Sequence, residues 1–354
     1  MSGARPAGAL RAFACVAGAI LRNRLRIIPF PVYCTFVLTS RCNYSCGMCA
    51  IWKRKSLPEI DEVQIERIFS QLRGVRFLKL DGGEVFLRED LARVTALLTR
   101  LLDPLFLQIT TNGSFPERTR DFLEKQAAPA LYLKISIDGP KDFHDRVRGP
   151  GAYDNAVRTL AQASAIRRKK KFNLGVNLTF SPESLDLDYL NHVRSLCQRY
   201  GAQLQCVFAA RGRPLGSGEV LPDYSHFFGC ERRVLEVMEE LERRQSSAGG
   251  AEMIRERYFL RGLKQRLLGN KGQLKPGCVA LRSHARIESD GSLVVCSNIS
   301  RRVADLKKES FARAWRGVEA SACLKAVSAC PGCWIGCETL PNALFTGDIL
   351  RAVV

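Results

Sequence analysis

Past Pro31 the chain alternates short apolar runs with longer segments whose apolar residues fall three or four apart. "YCTFVLT" (33–39) predicts a strand, and "DEVQIERIFSQLR" (61–73) places Val63, Ile65, Ile68, Phe69 and Leu72 close to helical spacing. The alternation repeats. "RFLKL" (76–80), "LFLQIT" (105–110), "LYLKISI" (131–137), "FNLGVNLTF" (172–180) and "QLQCVFA" (203–209) read as strands. Segments 89–102, 116–126, 153–166 and 184–200 read as the helices between them, with Pro116 suited to a first turn. Six strands alternating with helices predict a parallel sheet with crossover helices. No G-x-G-x-x-G follows the first strand, so a partial (β/α)6 TIM-like barrel fits better than a dinucleotide fold. In such barrels the chemistry sits on the loops after the strands.

Outside this span the pattern changes. Residues 211–220 read as a glycine-rich loop, followed by two charged helices at 223–245 and 252–268 with "QSSAGG" between them. From Cys278 onward comes a small cysteine-rich unit, in which "HARIESDGSLVVC" (284–296) predicts a β-hairpin turning at Asp290-Gly291. The expected organisation is an N-terminal segment (1–30), a barrel (31–212), a helical connector (213–273) and a cysteine-rich C-terminal domain (274–354). "AFACVAGAIL" (12–21) is too short to span a membrane, and the basic "RNRLR" (22–26) that follows it does not suit a signal-peptide cleavage site. Leu10, Phe13, Val16, Ala17, Ile20 and Leu21 form a helical stripe with Arg11, Arg22, Arg24 and Arg26 crowding one end. Such a helix lies either on an anionic membrane surface or on the protein itself. If on a membrane, it would bring the active-site mouth close to a lipid-linked substrate.

Composition sets the compartment and the partners. The 354 residues carry a net charge of +19, which favours anionic partners without choosing among them. "RRKKK" (167–171) falls at a helix end, where basic residues suit the helix dipole. Fourteen cysteines, partly clustered, point to a reducing cytoplasmic setting with thiolate-held metal, the alternative placement being peripheral at the inner membrane face. Four histidines, none close to another in sequence, argue against an imidazole site.

The chemistry concentrates in "SRCNYSCGMC" (40–49), which sets Cys42, Cys46 and Cys49 at C-x3-C-x2-C in the loop after the first strand. Three thiolates can hold three irons of a [4Fe–4S] cube and leave the fourth open, whereas a closed zinc site needs four ligands. Together with "GGE" (Gly82, Gly83, Glu84), "TNG" (111–113), "SIDG" (136–139) and "HDRVRG" (144–149), this triplet resembles the radical S-adenosylmethionine (SAM) enzymes, in order from about 33 to 210. The resemblance implies that SAM chelates the open iron, and that one electron cleaves it to a 5′-deoxyadenosyl radical that abstracts a substrate hydrogen. It further implies cofactor contacts at Met48, Gly82, Gly83, Glu84, Asn112, Ser136, Asp138 and Arg148, with the Glu84 carboxylate accepting from the cofactor's ammonium. Met48 stands where the family usually carries an aromatic residue, and Val85 where it carries proline. Asn112-Gly113 and Asp138-Gly139 are also ordinary turn dipeptides, and Arg148 also suits a plain salt bridge.

The C-terminal order Cys278, Gly291, Cys296, then "CPGCWIGC" with Cys330, Cys333 and Cys337, resembles the auxiliary-cluster domains called SPASM and twitch. The count fits one auxiliary [4Fe–4S] cluster on Cys278, Cys296, Cys330 and Cys333, with Cys337 able to replace one of them and zinc as the alternative metal. Cys323 lies outside the pattern; Cys15, Cys34, Cys197, Cys206 and Cys230 read as small buried hydrophobes. The function this implies is a radical SAM oxidoreductase acting on a peptide, sugar-like or lipid-linked substrate, served by an external one-electron donor such as flavodoxin or ferredoxin. The alternatives are a radical SAM enzyme that modifies RNA, against which no appended RNA-binding motif is present, and a non-catalytic Fe–S scaffold.

Overall fold

The computed structural model describes residues 6–25, 30–49, 51–53, 55–214, 220–245, 250–268, 274–275, 277–330 and 333–352. Helix α1 (Pro6–Arg24) precedes the alternating unit. That unit runs β1 (Tyr33–Thr39), α2 (Glu62–Phe69), β2 (Phe77–Gly82), α3 (Leu91–Leu102), β3 (Phe106–Thr111), α4 (Pro116–Gln126), β4 (Leu131–Ser136), α5 (Lys141–Arg148), α6 (Ala152–Arg167), β5 (Asn173–Phe180), α7 (Leu187–Tyr200) and β6 (Gln203–Phe208). There follow β7 (Arg211–Pro214), β8 (Val220–Asp223), α8 (Glu231–Gln245) and α9 (Gly250–Leu267). The C-terminal part holds β9 (His284–Ile287), β10 (Ser292–Val294), β11 (Arg302–Asp305), α10 (Phe311–Arg316), α11 (Val318–Ala329) and α12 (Gly336–Thr346).

Strands β1 to β6 pair in parallel and in sequence order, giving the partial (β/α)6 barrel. The sheet does not stop at β1. β9 pairs in parallel with β1, Thr35 opposite Arg286, and the antiparallel β9–β10–β11 meander extends the sheet. The hairpin expected at 284–296 is present, with Gly291 at φ 80° in its turn. β1 therefore has neighbours on both edges, and all seven of its residues are buried, which is why it reads as a continuous apolar run. In β2 and β3 the buried residues alternate. Leu78, Leu80, Leu107 and Ile109 pack toward the helices, joined by Leu133 and Ile135 of β4. The other face carries Lys79, Asp81, Gln108, Thr110, Tyr132 and Lys134, a polar lining for the concave side.

Three expectations need correction. The helix expected at 223–245 begins only at Glu231, because Tyr224 and Phe227 are buried by a short 3-10 turn instead. The helix expected over 61–73 ends at Phe69, although Leu72 still reaches the core from the turn beyond it. The loop expected at 211–220 contains β7 and the start of β8, an antiparallel pair; residues 215–219 lie outside the described residues.

α1 packs by Cys15, Val16 and Ala19 against Val32, Tyr33, Phe77, Val279 and Phe345. Asn23 Nδ2 donates to the Phe345 carbonyl at 2.9 Å, which ties the helix end to α12. Tyr33 and Phe77 begin β1 and β2, so α1 covers the end of the barrel opposite the cysteine loop. The notion that α1 brings the active-site mouth near a lipid substrate is corrected by this placement.

Candidate active site

The cysteine loop leaves the C-terminal end of β1 and is held mostly by backbone. Gly83 N donates to Thr39 O and Glu84 N to Arg41 O, both at 2.9 Å, so the start of the loop lies across the end of β2. A Cβ on Gly83 would sit 2.0 Å from Arg41 O, and one on Gly82 2.6 Å from Thr39 O. The two glycines are thus required by the close crossing of two chains. On another side, Gly47 N donates to Val147 O of α5 at 3.3 Å. Asn112 Nδ2 donates to Asn43 Oδ1 at 3.0 Å and lies 3.9 Å from the Cys42 sulfur. Cys49 N and Trp52 Nε1 both donate to Cys46 O, at 3.0 and 3.1 Å.

Burial pushes the thiols of Cys42 and Cys46 up, and each of the two also feels Cys49. Metal coordination reverses that balance, because a bound iron holds the thiolate. Among the described residues no three Cys, His, Asp or Glu side chains converge on a single-ion site. Three mutually interacting thiols on one loop, with no nitrogen or oxygen donor among them, fit a wider iron–sulfur cube.

The sequence reading aimed Glu84 at the cofactor. In the structure its carboxylate is fully buried and accepts from Thr111 Oγ1 at 2.8 Å, Asn112 N at 2.7 Å and Phe86 N at 3.1 Å. It joins the loops after β2 and β3. Burial pushes its carboxyl up even so. Asp138 is also fully buried, receiving Arg148 Nε at 2.5 Å, Arg148 Nη2 at 3.2 Å and Thr179 N at 3.1 Å. Arg148 in turn feels Cys46 and Cys49, so the bidentate bond to Asp138 holds its guanidinium in place beside the loop. Ser136 ends β4 and is buried; Met48 lies half-buried on the loop.

His144, between Asp138 and Arg148 in sequence, was not singled out as a site residue. Its Nδ1 accepts from Asp138 N at 3.0 Å, and its side chain is fully buried. Burial, helped by the Arg148 charge, holds its pKa near 4, below the ordinary 6.5. Between those values the unfolded chain binds the extra proton, so stability falls as pH is lowered through that window. Chemical denaturation at pH 7 and pH 5 should show His144→Gln losing about 2 kcal/mol less than the parent across that interval.

The second cysteine group comes together from distant positions. Cys278, Cys296, Cys330 and Cys333 line one pocket that opens to solvent, with Val295, Ile299 and Val327 as apolar walls. Ile299 N donates to the Cys296 sulfur at 3.3 Å. Burial pushes the thiols of Cys278 and Cys296 up to about 12. Four thiols around one cavity fit a thiolate-held metal group. The side chain of Cys337 lies outside the described residues. Glu338, also on the wall, receives Ser297 N at 3.2 Å and Ser297 Oγ at 2.8 Å, and faces His284 Nδ1 at 3.4 Å. Burial works to raise its carboxyl, but His284, Arg286 and Ser297 together hold it near 2. His284 Nε2 lies 3.0 Å from Thr35 Oγ1 of β1, so a buried polar chain joins barrel and cavity. Trp334 anchors the Cys333 turn, donating from Nε1 to Phe259 O at 2.9 Å and receiving Tyr224 Oη on its own carbonyl at 2.7 Å. His284 and Glu338 belong to no cysteine spacing and became visible only through contact.

Residues 36–188 match the model of the radical SAM superfamily and form a radical SAM domain. The family implies SAM and a [4Fe–4S] cluster. Over 213 residues the chain is 29% identical to the mycofactocin maturase MftC of Mycolicibacterium smegmatis, covering 58% of this chain and 50% of that protein. Over 172 residues it is 27% identical to the GTP 3′,8-cyclase of Limosilactobacillus fermentum, covering 46% of this chain and 50% of that protein. The chain thus spans about half the length of these curated relatives. Among solved structures, native anSMEcpe with bound AdoMet and Kp18Cys peptide aligns with a TM-score of 0.60 at 16% identity, over 84% of this chain and 83% of that one. That likeness concerns the fold.

Proposed function

We propose that this protein is a radical SAM oxidoreductase that modifies a peptide, with an auxiliary iron–sulfur cluster held by Cys278, Cys296, Cys330 and Cys333. The observation that carries the proposal is the convergence of those four cysteines on one cavity, in a segment whose strand β9 is hydrogen-bonded to β1, the strand that launches the SAM-cluster loop. A [4Fe–4S] cluster held by Cys42, Cys46 and Cys49 would supply the electron for reductive cleavage of SAM. The chain's own residues position that chemistry. Cys42, Cys46 and Cys49 hold the cube, the glycines of "GGE" admit the loop, and Glu84 and Asn112 brace it. Asp138 holds the Arg148 guanidinium beside it. Met48, Gly82, Gly83 and Ser136 are proposed as the cofactor's remaining neighbours, and Cys337 as a reserve ligand of the second site.

A peptide substrate is supported by the maturase relative and by the peptide-bound structural neighbour. It is also supported by the polar lining of the barrel, where Lys79 pairs with Asp81 and Arg286 with Glu288, each at 2.7 Å. The test is metal analysis and turnover after replacing Cys278, Cys296, Cys330 and Cys333 by Ala. About half the iron should remain, and SAM cleavage should continue without product. Zinc in place of the second portion of iron would overturn the auxiliary-cluster reading.

We also infer that α1 lies on an anionic membrane surface, with the barrel mouth directed away. No helix among the described residues is long and apolar enough to cross a membrane. Yet Leu10, Phe13 and Leu21 of α1, and Leu25 just beyond it, are 59–71% exposed, opposite the face packed on the barrel, with Arg22 and Arg24 at the helix end. Deleting residues 1–28 should abolish co-sedimentation with phosphatidylserine vesicles. Equal binding with and without the segment would remove the membrane role.

A further inference from the structure

We propose that the loop Arg168–Lys171, at the base of the barrel, is a second contact for an anionic membrane surface, beside α1. This deepens the placement of α1 on such a surface and rests on it for the orientation of the chain.

The carrying observation is a difference in charge between the two ends of the barrel. Strands β1 to β6 are parallel, so the segments that lead into them share one end and the loops that leave them share the other. The segments leading into β2 to β6 are 70–76, 103–105, 127–130, 168–172 and 201–202. They hold Arg73, Arg76, Arg168, Lys169, Lys170 and Lys171. Their one acid, Asp103, is paired with Arg11 of α1 at 2.9 Å. The loops leaving β2, β4 and β5 hold Glu84, Glu89, Asp90, Asp138, Glu183 and Asp186 against Arg88. Part of the net charge of +19 is thus gathered on the face away from the cysteine loop.

Capping of α6 does not account for this loop. The helix ends at Arg167, and the amides of Lys169 and Lys170 both donate to the Ile166 carbonyl at 2.9 Å. Lys170 Nζ donates to the Glu124 carbonyl, which ties the loop to α4 without neutralising it. Arg168, Lys169 and Lys171 are exposed, and among the described residues none of the three has an acid at ion-pair distance. Like charges held side by side attract an anionic partner and are relieved by it.

The kind of partner is decided by α1. Its packing on Tyr33 and Phe77 and its ion pair to the end of α3 set it at the same end of the barrel, with Leu10, Phe13, Leu21 and the following Leu25 exposed. The loop precedes β5 and α1 lies by the start of β1, four strand spacings or roughly 20 Å apart along the sheet. A bilayer is a plane broad enough to meet both, taking apolar side chains below its headgroups and lysines at them. A nucleic acid would leave the apolar side chains of α1 without a role. The aromatic residue of the entering segments, Phe172, is buried and offers no stacking face to a base. Two contacts on one face act jointly, because each raises the effective concentration of the other.

Co-sedimentation of the full chain with phosphatidylserine vesicles, and with neutral phosphatidylcholine vesicles, tests the proposal. Arg168→Gln/Lys169→Gln/Lys171→Gln leaves the Lys170 tie in place and should bind phosphatidylserine vesicles at least about tenfold more weakly than the parent. Arg168→Glu/Lys169→Glu/Lys171→Glu should bind them more weakly still, and both variants should lose part of the parent's salt dependence. Both should match the parent on phosphatidylcholine and in melting temperature. Equal phosphatidylserine binding by the parent and the Glu variant would overturn the proposal. So would an equal loss on phosphatidylcholine, or bulk tRNA bound by the parent more tightly than vesicles and released by the Gln variant. The placement of α1 fails by a different result. Binding that survives deletion of residues 1–28 and is lost in the Glu variant removes α1 and keeps the loop, whereas binding lost on deletion and untouched in the Glu variant removes the loop.

Discussion

Replacing Cys42, Cys46 and Cys49 together by Ala should abolish 5′-deoxyadenosine formation and remove about half the iron, while the fold persists. The loop's shape does not depend on its sulfurs. Its ends are fixed by the amide bonds of Gly83 and Glu84 to Thr39 and Arg41, and its middle by Gly47 on Val147. The Cys42 sulfur lies 3.9 Å from the Asn112 amide, a long contact. Removing three sulfurs should therefore cost stability only on the order of 1 kcal/mol each at most. Iron analysis, spectra of the dithionite-reduced protein and a chromatographic assay for the nucleoside read the three parts separately. Cleavage that survives in this variant would remove the central functional reading, because it would have to arise at a group that Cys42, Cys46 and Cys49 do not hold. Loss of all iron would show that the two cysteine groups do not load independently, against the separate cavity that Cys278, Cys296, Cys330 and Cys333 line.

What could be read before the structure follows from where burial is two-sided. β1 and β4 are buried along their whole length, so their apolar runs are continuous and their ends come out close to the residues expected. The crossover helices of the barrel are amphipathic, as α3 shows with Leu91, Val94, Leu98 and Leu102 on one face, and their period is legible locally. α5 was not recognised as a helix because it buries only Phe143 and His144, too little for a periodic signal. The pairing of β9 with β1 joins residues about 250 positions apart, and a four-residue strand carries no mark of its neighbour. The cysteine spacings named the candidate ligands, since those spacings are local. The roles of Glu84, His284 and Glu338 depend on which side of a loop a carboxylate or imidazole falls. That is a tertiary fact: "GGE" does not show that its glutamate accepts from Thr111 and Asn112 of the next loop. The polar lining of the barrel lay in plain view as Lys79, Asp81, Gln108 and Lys134 at alternate strand positions. Alternation in a parallel strand reads first as two-sided packing, which hides such a lining in the sequence.

Gly83→Ala should be the most damaging single-methyl change near the site, and Gly47→Ala in the same loop should be almost silent. The added Cβ at position 83 would lie 2.0 Å from Arg41 O, 2.5 Å from Arg41 C and 3.0 Å from the Cys42 Cβ. The nearest of these atoms are backbone, and they cannot move away cheaply, because Gly83 and Glu84 are bonded to Thr39 and Arg41 on either side of the contact. Relief requires the Arg41–Cys42 peptide to shift outward, breaking the Glu84–Arg41 bond and carrying the first thiol off the position from which it must meet the cube. Overpacking of this kind costs roughly 2–3 kcal/mol, and a lost buried amide bond adds about 1 kcal/mol. At Gly47 a Cβ meets nothing within 4 Å, so the same substitution there changes only the chain's conformational freedom. Urea denaturation should show the two variants separated by about 3 kcal/mol, and anaerobic reconstitution should load the first cluster into Gly47→Ala but not into Gly83→Ala. If both variants load equally, the glycine at 83 is not there to admit the cysteine loop, and the match to "GGE" has to be explained by contact with the cofactor instead.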